Sequence, residues 1–140
     1  MDADLAAFQK QLEGFVKATE EAVTKALREI VVEVGTTVVR LSPVLTGRFR
    51  GNWQMTVGSP STHSLMTTDP DGAATIAELK VMAATLNPGE IAYIVNNLDY
   101  GYNVETVGWQ KTPPYMPVRR TLSQFTQLAN EAIARNKVGK

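Results

Sequence analysis

No cysteine occurs among the 140 residues, and His63 is the single histidine. These absences exclude disulfide staples, cysteine nucleophiles and thiolate-held metals together. A chain of this length can bury a core without staples, and the lack of cysteine fits a reducing compartment. No apolar run approaches the roughly 20 residues that span a bilayer. The opening MDADLAAFQK is acidic and amphipathic, where a signal peptide would be basic and then apolar. The expectation is a soluble, unexported protein with no membrane contact. Formal net charge is zero, from 14 basic and 14 acidic side chains, so only a local basic surface could hold phosphates.

What is present is unevenly placed. Residues 1–40 carry seven acids and five bases, and residues 73–110 carry four acids and one base. Residues 111–140 hold Lys111, Arg119, Arg120, Arg135, Lys137 and Lys140 against Glu131 alone. Such a split suits head-to-tail self-association, a tail that meets an acidic partner, or a solvated basic helix favoured by its own dipole.

Leu5, Phe8, Leu12, Phe15, Thr19, Val23, Leu27, Ile30, Val34, Val38 and Leu41 step by threes and fours, a helical stripe with a charged opposite face. Asp2 or Asp4 can cap its start, and Pro43 forbids continuation. Unbroken, this helix is about 60 Å long at 1.5 Å per residue. A globule of this size is only about 30–40 Å across. Either the helix breaks near Gly35-Thr36-Thr37, or part of it projects and needs a partner.

Beyond it, residues 51–58 read as a strand with Trp53, Met55 and Val57 on one face, and residues 59–72 as a mobile polar loop. Residues 73–86 return to helical spacing, stopped by Asn87-Pro88-Gly89. Residues 90–96 read as a buried strand, 100–107 as a short helix and 112–117 as stiff and extended. Val118, Leu122, Phe125, Leu128, Ala129, Ala132 and Ile133 form the apolar face of a last helix. The fold expected is a single α+β domain: a long, projecting or broken N-terminal helix (1–41), a body (52–110) with a small antiparallel-rich β-sheet and an inserted helix, and a C-terminal helix (118–137).

Catalytic and cofactor chemistry finds little support. His63 lies in the polar loop without an identifiable orienting carboxylate. Asp69 and Asp71 flank Pro70 in a turn that lacks the ligand spacing of a calcium loop. Glu90, Asp99 and Glu105 are the candidates for paired-carboxylate work, and Asp99 follows a turn where a local hydrogen bond is the ordinary role. No catalytic residue, metal site or cofactor is expected.

SPVLTGRFRGNW, residues 42–53, concentrates two arginines and two glycines between the long helix and a strand. A phosphate-binding loop needs the opposite order, strand before glycines and helix after. Phe49 and Trp53 fit the core, while Gly47 and Gly51 permit turns closed to other residues. Arg48 and Arg50 suit pairing with carboxylates, within the chain or across an interface. Glu78, Glu90 or Glu105 of a neighbouring copy are candidate partners.

Pro43, Thr46, Gly47, Arg50 and Trp53 after a long helix make P-x-x-T-G-x-x-R-x-x-W, which resembles the tail-completion proteins of tailed-bacteriophage necks. Asn96-Asn97 followed by Tyr100 is similar to that family's N-N-x-x-Y-A, Val104-Glu105 to its L-E-x-G, and residues 112–119 to its A-P-x-x-M-V. The match covers most of the chain in order. Gly101 stands where alanine is common, and Glu105-Thr106-Val107-Gly108 has one residue more than E-x-G. Residues 59–89 are found in only part of the family.

The resemblance implies a homo-oligomeric ring, six-fold or twelve-fold, between the portal and connector complex and the tail tube. It would be made in the host bacterial cytoplasm and end in the neck of the virion. Its partners would be portal- or connector-side and tail-tube-side proteins, with non-specific contact to DNA in the channel. The residues carrying this reading as an assembly motif are Pro43, Thr46, Gly47, Arg48, Arg50, Trp53, Asn96, Asn97, Tyr100 and Glu105. The competing reading is a small nucleic-acid-binding or enzymatic accessory protein using Arg48, Arg50 and the basic C-terminal end.

Overall fold

The computed structural model describes residues 2–44, 46–108 and 113–138. Its elements are a long helix α1 (Asp2–Arg40), a 3₁₀ turn (Arg50–Asn52), a strand β1 (Trp53–Val57) and a helix α2 (Ala73–Ala83). A strand β2 (Ala92–Asn96), a π-helical turn (Asn103–Val107) and two helices, α3 (Pro117–Ser123) and α4 (Phe125–Arg135), complete it. The fold is α+β and mostly helical, with one two-stranded antiparallel sheet. No helix among the described residues is long and apolar enough to cross a membrane.

α1 does not break at Gly35. A Cβ there would come within 2.9 Å of Leu79 Cδ1, so the glycine is the notch that lets α2 close on α1. The helix is instead divided by its surroundings. Residues 3–18 are exposed on every face, whereas Gly35, Val38 and Val39 are buried. About 24 Å of helix therefore stands clear of the core, at 1.5 Å per residue.

The core lies where the second half of α1 and α2 cover one face of the two-stranded sheet. Val38, Val39, Phe49, Trp53, Met55, Leu79, Ala83 and Leu98 form one buried cluster. Trp53 pairs with Asn96, Met55 with Ile94 and Val57 with Ala92, which puts these residues on the helix-facing side. The expected strand 51–58 starts two residues late, because Gly51 and Asn52 donate turn bonds to Gly47 O and Phe49 O. The expected strand 90–96 begins at Ala92 and is half-buried throughout, not buried. Two strands covered on one face leave the other toward solvent, whatever the hydrophobicity of β2.

Residues 59–72, expected to be mobile, lack regular structure but are pinned. Asn52 exchanges two hydrogen bonds with Leu65, Gln54 Nε2 donates to His63 O, and Asn97 Nδ2 donates to Ser61 O and His63 O. The expected C-terminal helix is interrupted at Gln124 into α3 and α4, and both pack along α1. Arg135 Nε reaches Glu29 Oε2 at 3.2 Å. Thr112, the start of the expected stiff segment 112–117, lies outside the described residues, as does the end of the expected body at 109–110.

Stability should follow this division. Leu79→Ala should lower the unfolding free energy by about 2–5 kcal/mol. Leu12→Ala, on the exposed part of α1, should change it by under about 0.5 kcal/mol in dilute solution. Urea melts of the two variants, side by side, check the contrast.

Candidate functional site at the joint between the long helix and the body

An α-helix ends with carbonyls that have no intrahelical donor. At the end of α1 the chain must satisfy them and also turn sharply into β1. Ser42 begins the solution. Its hydroxyl donates to Val38 O at 2.6 Å, and its oxygen accepts the Trp53 indole N–H at 2.8 Å. Both residues are buried, so the ring of the first strand residue is bolted to the last turn of the helix.

Arg50 completes the cap. Its Nη2 donates to Arg40 O (3.1 Å) and Ser42 O (2.8 Å), and its Nη1 donates to Pro70 O (3.0 Å). A cation at a helix C-terminus is also favoured by the helix dipole. The side chain fits because Gly72 has no Cβ: one there would lie 2.7 Å from Val39 Cγ1 and 3.2 Å from Arg50 Cδ.

Gly47 holds the other side of the joint. Its φ is +89°, and a Cβ would fall 2.7 Å from Pro70 Cδ and 2.8 Å from Asp69 C. Its carbonyl accepts two backbone bonds, from Gly51 N and Asp69 N, both at 2.9 Å. Thr46 is exposed and its hydroxyl accepts the Arg48 N–H at 3.3 Å. Pro43 is half-buried, and Leu45 lies outside the described residues.

The downstream motif residues reach the same place. Asn96 Nδ2 donates to Phe49 O at 2.8 Å, and its Oδ1 accepts the Leu98 N–H. Phe49 packs edge-on against Trp53 and tilted against Tyr100, each with ring centroids 5.9 Å apart. Asn97 tethers the 59–72 segment instead. Glu105 acts next door: its two carboxylate oxygens accept the Val118 and Arg119 amides at 3.0 and 2.8 Å, capping α3. The extra residue in Glu105-Thr106-Val107-Gly108 is taken up by the π turn, whose wide ring closes from Gly108 N to Asn103 O at 2.7 Å.

The expectation that Arg50 reaches a carboxylate of a neighbour needs correction. Arg50 donates within its own chain to three carbonyls, and its Nε is buried without a partner. Arg48 has only a 3.8 Å approach to Met66 Sδ, and its Nε is likewise buried and unpartnered. Of the proposed acceptors, Glu105 is engaged at both oxygens and Glu90 Oε1 accepts the Asn87 N–H, while Glu78 is exposed. A helix end with several open carbonyls is as good a guanidinium site as a carboxylate, and it was already beside Arg50.

Sequence reasoning missed Ser42, Asn52 and Asp69 as members of the joint. Asp69 Oδ2 accepts both the amide and the hydroxyl of Thr75 at 2.7 Å, in the first turn of α2. Partial burial works to raise its pKa, but the bonds from Thr75, with Asp71 and Gly72 adding, hold the carboxyl below its ordinary value. The signal for Ser42 was a serine directly after a helix and before Pro43.

Among the described residues no group of three or more His, Cys, Asp or Glu is placed to hold a metal. Ser61 Oγ stands 3.4 Å from His63 Nδ1, but its proton goes to Gln54 Oε1 at 2.8 Å. No protein-family model, curated protein or solved structure matches the chain.

Arg50→Ala should lower stability by about 1–3 kcal/mol, since three carbonyls lose a charged donor. Arg48→Ala should fall within about 0.5–1 kcal/mol of the parent, a ranking that thermal melts can read. Asp69 gives a pH test. Its folded pKa is depressed, so its contribution is present above the unfolded value near 3.9 and is lost as pH falls through the folded one. Asp69→Asn should therefore flatten the acid limb of the stability profile below about pH 4, in melts taken from pH 2 to 7.

Proposed function

We propose that the chain is a structural subunit of a tailed-bacteriophage neck, forming a ring that completes the tail and joins it to the head connector around the DNA channel. One observation carries this reading. Gly47, Arg50, Trp53, Asn96 and Tyr100, from separate parts of the motif, meet at one joint between a long helix and a small body, while Asn97 and Glu105 brace the segments beside it. A scattered coincidence of short motifs would not be expected to do so.

Work of this kind is mechanical and needs rigid angles and exposed surfaces, with no reacting group. The partners are other copies in a six-fold or twelve-fold ring, portal- or connector-side proteins above and tail-tube proteins below. Contact with DNA in the channel is sequence-independent and falls steeply with salt. The alternative of a nucleic-acid-binding or enzymatic accessory loses its main residue, because the Arg50 guanidinium is turned onto its own backbone.

Deleting the gene in a phage that encodes this chain should give filled heads and separate tails. Supplying the protein should restore joined particles, with antibody label at the neck in electron micrographs. Normal particles from the deletion, or label elsewhere, would show the reading to be wrong.

A further inference from the structure

β1 has two edges, and β2 occupies only one of them. Gly58 N–H donates to Ile91 O at 2.8 Å, one step beyond the Val57–Ala92 pair, so the bonds between the strands fall on Gln54, Thr56 and Gly58. The main-chain N–H and C=O groups of Met55 and Val57 therefore point away from β2. No hydrogen bond among the described residues uses them. Main-chain groups inside a fold ordinarily find partners, and an open strand edge is a template for another strand.

That edge opens into a groove of about 520 Å³, within the roughly 300–1,000 Å³ of ligand sites. Trp53, Gln54, Met55 and Thr56 all line it, and no residue of β2 does. Consecutive strand residues alternate between the two faces of a sheet, so only the edge of β1 can present all four to one groove. α2 forms the opposite wall, with Leu79 buried and Met82 half-buried, and residues 65–69 lie against Gly51 at one end. The charge around the groove is of one sign. Asp69 and Glu78 are its only ionised side chains. Asp69 is engaged by Thr75, whereas Glu78 is exposed and has no hydrogen bond or ion pair among the described residues.

We propose that this groove takes an extended, basic segment of another protein, which joins the free edge of β1 as a third strand. Main-chain bonds to Met55 and Val57 hold such a segment, and the groove walls select its side chains. β1 is about 17 Å long at 3.4 Å per residue, so the segment is short. Side chains two residues apart on it face α2 together. One of them, apolar, packs on Leu79 and Met82, while the other, lysine or arginine, meets Glu78. A second copy of this chain is a poor occupant, because the described links between elements outside the joint hold no lysine or arginine. The inference goes beyond the neck reading and does not depend on it.

The probe is a set of fluorescein-labelled hexapeptides, each with valine, isoleucine, leucine or phenylalanine two residues from a lysine or arginine, and threonine elsewhere. Fluorescence anisotropy with the full chain should find members that bind. A saturating binder should slow amide exchange at Met55 and Val57 at least tenfold and leave Ala92 and Ile94, on the free edge of β2, unchanged. N-methylation of one alternate set of peptide amides should weaken binding more than tenfold, and of the other set should not. Glu78→Lys, an exposed change whose circular-dichroism spectrum should match the parent, should weaken the basic peptides at least fivefold and favour analogues with glutamate in place of the base. Failure of every member to bind at millimolar concentration would overturn the inference. So would slowed exchange at Ala92 and Ile94 instead, or binding indifferent to both N-methyl sets. Slowed exchange at Met55 and Val57 that grows with protein concentration in the absence of peptide would assign the groove to a second copy, and also overturn it.

Discussion

One guanidinium and one hydroxyl close the end of α1. Arg50 and Ser42 together satisfy the carbonyls of Val38, Arg40 and Ser42, and Ser42 also receives the indole of Trp53. A helix end left open inside a protein costs about 1–3 kcal/mol for each unsatisfied group. Here Ser42, just past the helix, and Arg50, from the 3₁₀ turn, remove that cost, the first strand residue Trp53 fixes Ser42, and Arg50 also holds Pro70 ahead of α2. The same bonds that finish the helix thus position everything after it. Gly47, Gly51 and Gly72 follow from this as points where backbone or the Arg50 stem must come closer than a side chain allows.

The family-like motif takes on a physical meaning in this setting. Gly47, Arg50 and Trp53 are spaced as they are because each meets a different part of one small knot. Asn96 at the end of β2 and Tyr100 just after it support Phe49, and Glu105 anchors the next helix. None of these contacts needs a partner molecule. A motif of this type describes how the chain holds its shape and orients its helices.

The helices and strands were legible in the sequence because their apolar periodicity is strong. The stripe from Leu5 to Leu41, the alternation of Trp53, Met55 and Val57, and the stop at Asn87-Pro88-Gly89 all name their element. The exposure of β2 was not legible, because period and hydrophobicity do not say how many strands a sheet has. The fate of Gly35 was not legible either, since a glycine in a helix reads as a break until Leu79 is seen filling the notch. Arg50 was misassigned for a related reason: carboxylates are visible in a sequence, while open carbonyls exist only once the helix has ended in space. Of the joint, the residues on the motif were found and Ser42, Asn52 and Asp69 were not. Their roles depend on neighbours far along the chain.

α1 is one continuous helix with two sources of order. From about Ala26 onward it is held by the core, and its amides should open only when the whole domain unfolds. Over residues 3–18 it is exposed on every face, and Gly14, with nothing packed within 4 Å of where a Cβ would stand, weakens it by about 1 kcal/mol relative to alanine. Isolated helices of roughly 12–15 residues are marginal in water. Amide exchange should therefore quicken steadily toward the N-terminus of this single rod, and whatever settles on the arm would bring part of its winding with it.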